Sequence, residues 1–172
     1  MSAKGHKTSD RESVRCAVLT VSDSRTVDTD RSGALLIGRI EAAGHVLVAY
    51  DIVRDEPADV RTKVLEHVRS GRVDAVLVNG GTGIAPRDTT YEAISGLLER
   101  RLDGFGELFR YLSYTEIGAA AMLSRAIAGV VDSTAVFSMP GSTAACTLAA
   151  DRLILPELGH IVGLLRPAGG SE

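Results

Sequence analysis

The residues Gly80, Gly81, Thr82 and Gly83 follow the apolar run DAVLVN and lead to Asp88. A loop with so few side chains lets backbone N–H groups come close to a ligand, and such groups before a helix favour phosphate. Pro140, Gly141 and Ser142 also follow an apolar run and precede a helical segment. Both loops are therefore candidate phosphate-binding sites, although a tight strand-to-helix turn also favours glycine.

Two carboxylates follow apolar runs in the same way. Asp55 comes after the segment HVLVAYDIV, and Asp88 ends the first glycine loop. A carboxylate repels a neighbouring phosphate unless a cation lies between them, and Mg²⁺ binds one or two carboxylates together with phosphate oxygens. We therefore predict that Asp55 and Asp88 are catalytic residues and Mg²⁺ ligands. The alternative is that Asp55 caps a helix beginning at Pro57 and that Asp88 caps a helix beginning near Thr90.

Three further sets of polar residues are candidates for binding substrate or anions. Ser22 and Asp23 end the first apolar run, where Asp23 could instead accept hydrogen bonds from its own loop. Ser142 could be an ordinary helix N-cap. Arg87 and Arg125 are possible anion partners or plain surface residues.

The elements that must position these residues alternate between strands and helices. Short apolar, β-branched runs predict strands at Arg15–Ser22, His45–Val53 and Asp74–Asn79, and two more flank a tight turn at Asp132–Ser133. The pattern predicts an α/β fold, a three-layer sandwich with a mostly parallel sheet and helices on both faces. Because ligands bind at the carboxyl ends of such strands, we expect all the candidate residues to lie at one edge of the sheet.

Helix signals are clear at several points. Pro57 suits the first position of a helix, and Thr89 with Glu92 has the spacing of a capping box, which predicts a helix from about Thr90. The segment from Leu102 to Met122 is predicted to be helical in two pieces, broken around Ser113–Thr115. Its second piece, EIGAAAML, is rich in small residues and is predicted to be buried, as are the apolar residues Phe105, Leu108 and Phe109. The alternative is that these residues form a subunit interface. His67 is predicted to lie on an exposed helix face.

Length and composition narrow the class of protein. The 172 residues suit one domain, predicted to span residues 15–166 between a flexible N-terminal tail, 1–14, and a C-terminal tail, 167–172. A net charge of −3 argues against sequence-independent nucleic-acid binding, and no apolar run is long enough to span a membrane. Cys16 and Cys146 are expected to be buried free thiols, which together with the polar N-terminus predicts a cytoplasmic protein.

Several chemistries lack their motifs. No GK[ST] follows the glycines, no G-x-G-x-x-G follows the first strand and no G-x-S-x-G is present. These absences argue against a P-loop, a Rossmann dinucleotide site and an α/β-hydrolase nucleophile. The four histidines are scattered, without the spacing of metal ligands.

Seven motifs together resemble one known family. They are VLTVSDS (Val18–Ser24), DRSG (Asp30–Gly33), VRDE (Val53–Glu56), GGTGIAPRDTT (Gly80–Thr90), GFGELFR (Gly104–Arg110), MLSRAIAG (Met122–Gly129) and MPGS (Met139–Ser142). In this order they resemble the molybdenum-cofactor biosynthesis proteins of the MoaB/Mog type, which include the G domain of gephyrin. The resemblance extends from about Arg15 to Leu165, and the GFGE–FR and LS–EIG segments are most similar to the bacterial MoaB branch.

The resemblance implies a MogA/MoaB-like fold, usually as a homotrimer. It implies molybdopterin and ATP as substrates with Mg²⁺ as cofactor, and transfer of AMP to the terminal phosphate of molybdopterin. The product would pass to a partner that inserts molybdate. A non-catalytic molybdopterin-binding carrier or scaffold is the alternative, because family membership does not guarantee turnover. The key aspartates of the family match Asp55 and Asp88, while Arg54 replaces a proline that many relatives have at that position.

Overall fold

A six-stranded sheet forms the centre of the chain in a computed structural model that describes residues 13–166. The sheet order is β2-β1-β3-β6-β5-β4, in which β2, β1, β3 and β6 are parallel, β5 is antiparallel to β6, and β4 is antiparallel to β5. The mostly parallel sheet is thus confirmed. The strands are β1 (Arg15–Val21), β2 (Val46–Val53), β3 (Ala75–Asn79), β4 (Arg100–Arg101), β5 (Ile127–Val131) and β6 (Thr134–Met139).

Helices cover both faces of this sheet. A π-helical turn, Ala150–Ile154, joins α5 to α6, and a 3₁₀ segment, Gly118–Leu123, follows α4. The helices are α1 (Arg31–Ala42), α2 (Pro57–Arg69), α3 (Thr90–Ser95), α4 (Asp103–Ile117), α5 (Thr143–Ala149) and α6 (Leu155–Leu165). The predicted starts at Pro57 and Thr90 are confirmed.

Two hydrophobic clusters lie on opposite faces of the sheet, which confirms the three-layer architecture. Alternate residues of β1 point to opposite sides, so Val18 packs among α1, α4, α5 and α6 while Leu19 packs against α2 and α3. Phe105 and Phe109 of α4 are buried in the first cluster, and the Phe105 ring meets Phe137 edge-on at 5.5 Å between ring centroids. Both cysteines are buried and free, as predicted.

The predicted break in the long helical segment was wrong. α4 continues through Ser113, which is buried, and Thr115, whose hydroxyl donates to Leu112 O within the helix. The helix ends instead at Ile117 and is followed by Gly118, whose φ of +67° is disfavoured for residues that have a Cβ atom.

The burial predicted for the segment after Gly118 was also wrong. Met122 is 75% exposed and Leu123 is 52% exposed, and Leu108 of α4 is exposed as well. Ala121 is the residue of the 3₁₀ segment that is buried. The small side chains of this segment therefore reflect a tight turn over the surface rather than a core helix.

Three other features of the described residues bear on the predictions. His67 is buried rather than exposed, and its Nε2 lies 3.0 Å from Asp51 Oδ2. Val14, assigned to the tail, is fully buried; the rest of that tail up to residue 12, and residues 167–172, lie outside the described part of the chain. Within residues 13–166, no helix has the length and apolarity needed to cross a membrane.

Candidate functional site

The exits of four parallel strands meet at one edge of the sheet, as the topology predicts. Ser22 N donates to Val53 O at 2.9 Å, and Gly80 N donates to Met139 O at 3.1 Å. Between them lies a cleft of about 430 Å³, called here the glycine cleft. Its lining consists of Ser22, Ser24, Arg25, Gly80, Gly81, Thr82, Gly83, Asp88, Leu123, Ser124, Pro140 and Gly141.

Most of the predicted site residues line this cleft, and three lie beside it. Asp23 lines a neighbouring cleft along β2, and Ser142 lines a groove between α4 and α5. Asp55 is buried next to the first glycine loop, with 7% of its surface exposed.

The first glycine loop is bare because its surroundings leave no room for side chains. A Cβ on Gly80 would lie 2.2 Å from Val21 O, and one on Gly81 would lie 2.1 Å from Thr90 Oγ1 and 2.5 Å from Asp55 Oδ2. Both glycines also have positive φ, +100° and +65°. The glycines therefore have a packing reason as well as any functional one.

Asp55 connects the exit of β2 to the start of α3. Its Oδ1 accepts hydrogen bonds from Thr89 N at 3.1 Å and from Thr89 Oγ1 at 2.9 Å. The alternative of a cap on α2 was wrong, since Glu56 is the N-cap residue there and makes no side-chain cap bond. The capping box was also wrong, because the Thr89 hydroxyl binds Asp55 instead of the α3 backbone.

Asp88 lies half-buried on the lining of the glycine cleft. Its Oδ2 accepts a hydrogen bond from Ala85 N at 3.1 Å, and a Cβ on Gly83 would lie 2.4 Å from the same oxygen. Asp88 therefore shapes its own loop and does not cap α3. An accessible carboxylate beside bare backbone fits Mg²⁺, which keeps several ligands from water or substrate phosphate. The described residues contain no group of three or more His, Cys, Asp or Glu that could hold a metal alone.

Asp23 and Arg87 tie the loop after Gly83 to the exits of β1 and β2. Arg87 Nε donates to Asp23 Oδ2 at 2.9 Å, and its Nη1 donates to Glu56 Oε1 at 2.7 Å. Asp23 Oδ1 accepts from Asp55 N at 3.0 Å, so this oxygen binds the exit of β2 and not its own loop, which was the alternative for Asp23. The Arg87 hydrogen bond holds the pKa of Asp23 below its ordinary value.

Arg125 fastens the opposite side of the glycine loop. Its guanidinium donates to the carbonyl oxygens of Thr82 and Gly83, pairs with Glu92 and lies 4.9 Å from the centre of the Tyr91 ring. The pairing lowers the pKa of Glu92. Arg87 and Arg125 are thus both paired with carboxylates, rather than being plain surface residues.

The two serines organise turns next to the cleft. Ser22 Oγ accepts from Ser24 N at 3.2 Å and from Arg25 N at 3.0 Å. Ser142 Oγ accepts from Ala145 N at 3.1 Å, which confirms the simpler reading of Ser142 as the N-cap of α5. Arg54 faces solvent and pairs with Asp59.

Sequence reasoning missed Arg25, a basic residue on the cleft lining. Its Nη2 donates to Gly141 O at 3.0 Å, and its Nη1 lies 3.5 Å from Asp30 Oδ1. Asp30 is buried and also accepts from Tyr50 Oη at 2.6 Å. Burial raises the pKa of Asp30, but hydrogen bonds from Thr20 and Tyr50 outweigh it and the pKa lies below its ordinary value. The position of Arg25 directly after the SDS motif was the available signal.

Comparisons with known proteins show which proteins this chain resembles in sequence and fold. The chain is 54% identical over 167 residues to molybdenum cofactor biosynthesis protein B of Bacillus subtilis (strain 168), covering 96% of this chain and 98% of that protein. A crystal structure of a molybdenum cofactor biosynthesis protein B superposes with a TM-score of 0.87 at 52% identity, covering 89% of this chain and 96% of that one. The tungsten cofactor synthesizing protein MoaB from Pyrococcus furiosus gives 0.82 at 36% identity, covering 91% and 99%.

A family model described as a probable molybdopterin binding domain matches residues 17–160. The match begins within β1 and includes the other five strands and both glycine loops. The chain therefore belongs to the family of molybdopterin-binding domains that this model describes.

Proposed function

We propose that this chain is a molybdopterin adenylyltransferase of molybdenum cofactor biosynthesis. It would transfer AMP from Mg-ATP to the terminal phosphate of molybdopterin. The observation that supports this most is the glycine cleft, where two bare loops and the Asp88 carboxylate meet. The names of the relatives place those proteins in cofactor biosynthesis, which supports the pathway.

The proposed reaction needs little covalent help from the protein. An oxygen of the molybdopterin phosphate attacks the α-phosphorus of ATP, a new P–O bond forms there, and the bond to the bridging oxygen of the β-phosphate breaks to release pyrophosphate. The attacking oxygen is already anionic at neutral pH, so no general base is required. Positioning and neutralisation of charge would therefore supply the rate acceleration.

The residues of the cleft have distinct roles in this proposal. Backbone N–H groups of Gly80, Gly81, Thr82 and Gly83 would bind phosphate oxygens, and Pro140, Gly141 and Ser142 would form the opposite wall. Ser22 would hold its turn in place, and Asp23 would fix the loop that bears Asp88 through its bond to Arg87.

The two aspartates would differ in their contributions. Asp88 lies on the cleft lining and would hold Mg²⁺, which when bound supplies positive charge to offset that of the phosphates. Asp55 has one oxygen committed to Thr89, so it would position the loop and offer its other oxygen as a second ligand.

The direct test is to incubate the purified protein with molybdopterin, ATP and Mg²⁺ and to measure adenylylated molybdopterin by mass. We expect product from the wild type and a loss of about a hundredfold or more in Asp88→Asn, because the ligand charge is removed while the shape is kept. Asp132→Asn is the matched control, since Asp132 lies in the turn between β5 and β6 with a φ of +52° that Asn also tolerates. Full activity in Asp88→Asn would refute the metal-ligand role.

The family description names binding rather than turnover, so a carrier or scaffold that binds molybdopterin without catalysis is the second candidate. An enzyme of the proposed kind must bind Mg-ATP, which raises the melting temperature of the folded protein, whereas a carrier need not. Tight molybdopterin binding with no product and no protection by Mg-ATP would favour the carrier.

We also propose self-association, as the homotrimer that the resemblance implies. Large apolar side chains are exposed together along α4 and the segment after it, and such patches mark interaction surfaces. They are Leu108, Tyr111, Tyr114, Ile117, Met122 and Leu123. Light scattering of the wild type and of Ile117→Lys tests the proposed self-association. A wild type that is monomeric would contradict it. A downstream molybdate-inserting protein would receive the product.

A further inference from the structure

Arg25 is the basic residue on the lining of the glycine cleft within residues 13–166. The remaining lining is uncharged apart from the Asp88 carboxylate. A cleft that receives several phosphate charges needs a fixed positive charge of its own, because a single divalent ion neutralises only part of a triphosphate. Arg25 therefore stands at the position where such a charge is required.

The guanidinium of Arg25 lies where the two glycine loops approach each other. A Cβ on Gly141 would lie 3.0 Å from the Cα of Gly80 and 3.7 Å from Arg25 Nη1. Arg25 Nη2 donates to the Gly141 carbonyl at 3.0 Å, and the backbone N of Arg25 is held by Ser22 Oγ. The side chain is thus anchored at both ends, and 32% of its surface remains exposed.

Among the described residues, the Arg25 guanidinium makes one hydrogen bond, to a backbone carbonyl, and no close contact with a carboxylate. A guanidinium has five N–H donors, and the ion pair of Arg25 with Asp30 is long at 3.5 Å. The Asp30 carboxylate instead accepts hydrogen bonds from Gly33 N at 3.0 Å and from Tyr50 Oη. Arg87, in contrast, contacts two carboxylates at 2.9 and 2.7 Å.

We propose that Arg25 binds the phosphate chain of the nucleotide, and that it selects a polyphosphate over an uncharged nucleoside. The planar guanidinium donates two parallel hydrogen bonds to phosphate oxygens, for which a lysine ammonium is a poor replacement. This inference rests on the proposed function, because it assumes that the glycine cleft receives a nucleotide.

Calorimetric titration of three probes tests the role of Arg25 separately from the proposed function. Mg-ATP, Mg-pyrophosphate and adenosine are titrated into the wild type, Arg25→Gln and Arg25→Lys. We expect Arg25→Gln to weaken binding of ATP and pyrophosphate by about tenfold to a hundredfold, since a charge-assisted hydrogen bond is lost. Adenosine binding should not change, and Arg25→Lys should fall between the wild type and Arg25→Gln. Arg54→Gln, an exposed arginine paired with Asp59, is the matched control and should bind all three probes like the wild type.

The possible results distinguish failure of the Arg25 role from failure of the proposed function. Equal affinity of wild type and Arg25→Gln for ATP and pyrophosphate overturns the role of Arg25 and leaves the adenylyltransferase proposal standing. A folded wild type that binds neither probe overturns both. If Arg25→Gln fails to fold because Asp30 loses its neighbour, Arg25→Lys gives the answer, and wild-type affinity for pyrophosphate in that variant refutes the inference.

Discussion

Replacing Gly81 by alanine tests the packing of the glycine loop directly. The backbone φ of +65° would cost an L-residue about 1–2 kcal/mol. The new methyl group would lie 2.1 Å from Thr90 Oγ1 and 2.5 Å from Asp55 Oδ2, and both oxygens belong to buried side chains. Overpacking of this kind costs about 1–3 kcal/mol. We therefore expect Gly81→Ala to lower the free energy of unfolding by about 2–5 kcal/mol.

The assay is urea unfolding of the wild type and the variant followed by circular dichroism. Gly38→Ala is the matched control, because Gly38 is exposed in α1 and a Cβ there meets no atom within 4 Å. Alanine in a helix should stabilise the protein by about 0.5–1 kcal/mol. A value for Gly81→Ala within about 0.5 kcal/mol of the wild type, the range of ordinary surface substitutions, would refute the packing argument.

A double variant identifies which contact is responsible. Thr90 Oγ1 is buried and has no hydrogen-bond partner among the described residues, so Thr90→Ala loses no such bond while making room for the methyl group. We expect the double variant to be less destabilised than the sum of the two single variants, as for residues in contact. If the effects of the two substitutions are strictly additive, the strain in Gly81→Ala comes from the backbone or from the contact with Asp55, and not from Thr90.

Three other contacts give shorter tests. His45 Nδ1 accepts from Val14 N, and burial lowers the pKa of His45 below its ordinary value of 6.5. As the pH falls, the unfolded chain therefore binds the proton first, so the stability contributed by neutral His45 is present above pH 6.5 and is lost as the pH falls through the folded pKa. Between pH 7.5 and pH 5, denaturation should show a fall in the free energy of unfolding of up to about 1 kcal/mol. The fall should be smaller in His45→Asn, and equal falls in the two proteins would contradict this argument. Asp55→Ala should cost about 1–3 kcal/mol in urea unfolding by leaving two Thr89 donors unpaired, and Asp55→Asn less, because it keeps an acceptor; equal costs would argue against this contact. Arg125→Lys should speed amide exchange in residues 82–88, because the bonds of Arg125 to the carbonyls of Thr82 and Gly83 are weakened, whereas Arg39→Lys on the surface should not. Unchanged exchange in Arg125→Lys would refute the role of Arg125 in holding this loop.

The sequence was sufficient to place the glycine cleft at one edge of the sheet. Apolar β-branched runs bounded by polar residues determine where strands end, and parallel strands bring those ends together whatever the loops contain. Asp88 and Gly80 could be placed in this way, because each follows a recognisable strand. The fold class could be predicted without knowing which side chains contact one another.

Side-chain partners could not be predicted in the same way. Arg87 and Asp23 are 64 positions apart in the chain, and nothing in the local sequence of either residue indicates the other. Thr89 has the spacing of a capping residue, but its hydroxyl donates to the buried Asp55 carboxylate and accepts no hydrogen bond from the α3 backbone. A lone arginine in a polar loop, such as Arg25, looks like any solvated residue until the fold places it in a cleft.

The exposed segment after α4 shows the limit of composition as a guide. EIGAAAML has the small side chains of a buried helix. Gly118, with a positive φ, follows the end of α4, and Met122 and Leu123 in the 3₁₀ segment after it are exposed. Composition records how large the side chains are, whereas the path of the backbone decides which of them face solvent.

The strand order has a consequence for how the protein is made. β3 lies between β1 and β6, and Ala75 pairs with Ala135, so the middle of the sheet joins the first half of the chain to the second. During synthesis one edge of β3, four of whose five residues are apolar, stays unpaired until β6 leaves the ribosome, and unpaired strand edges are prone to aggregation. Gly80 gains its bond to Met139 only then. The ability to bind a ligand in the cleft is therefore acquired late, at nearly the same moment as the fold itself.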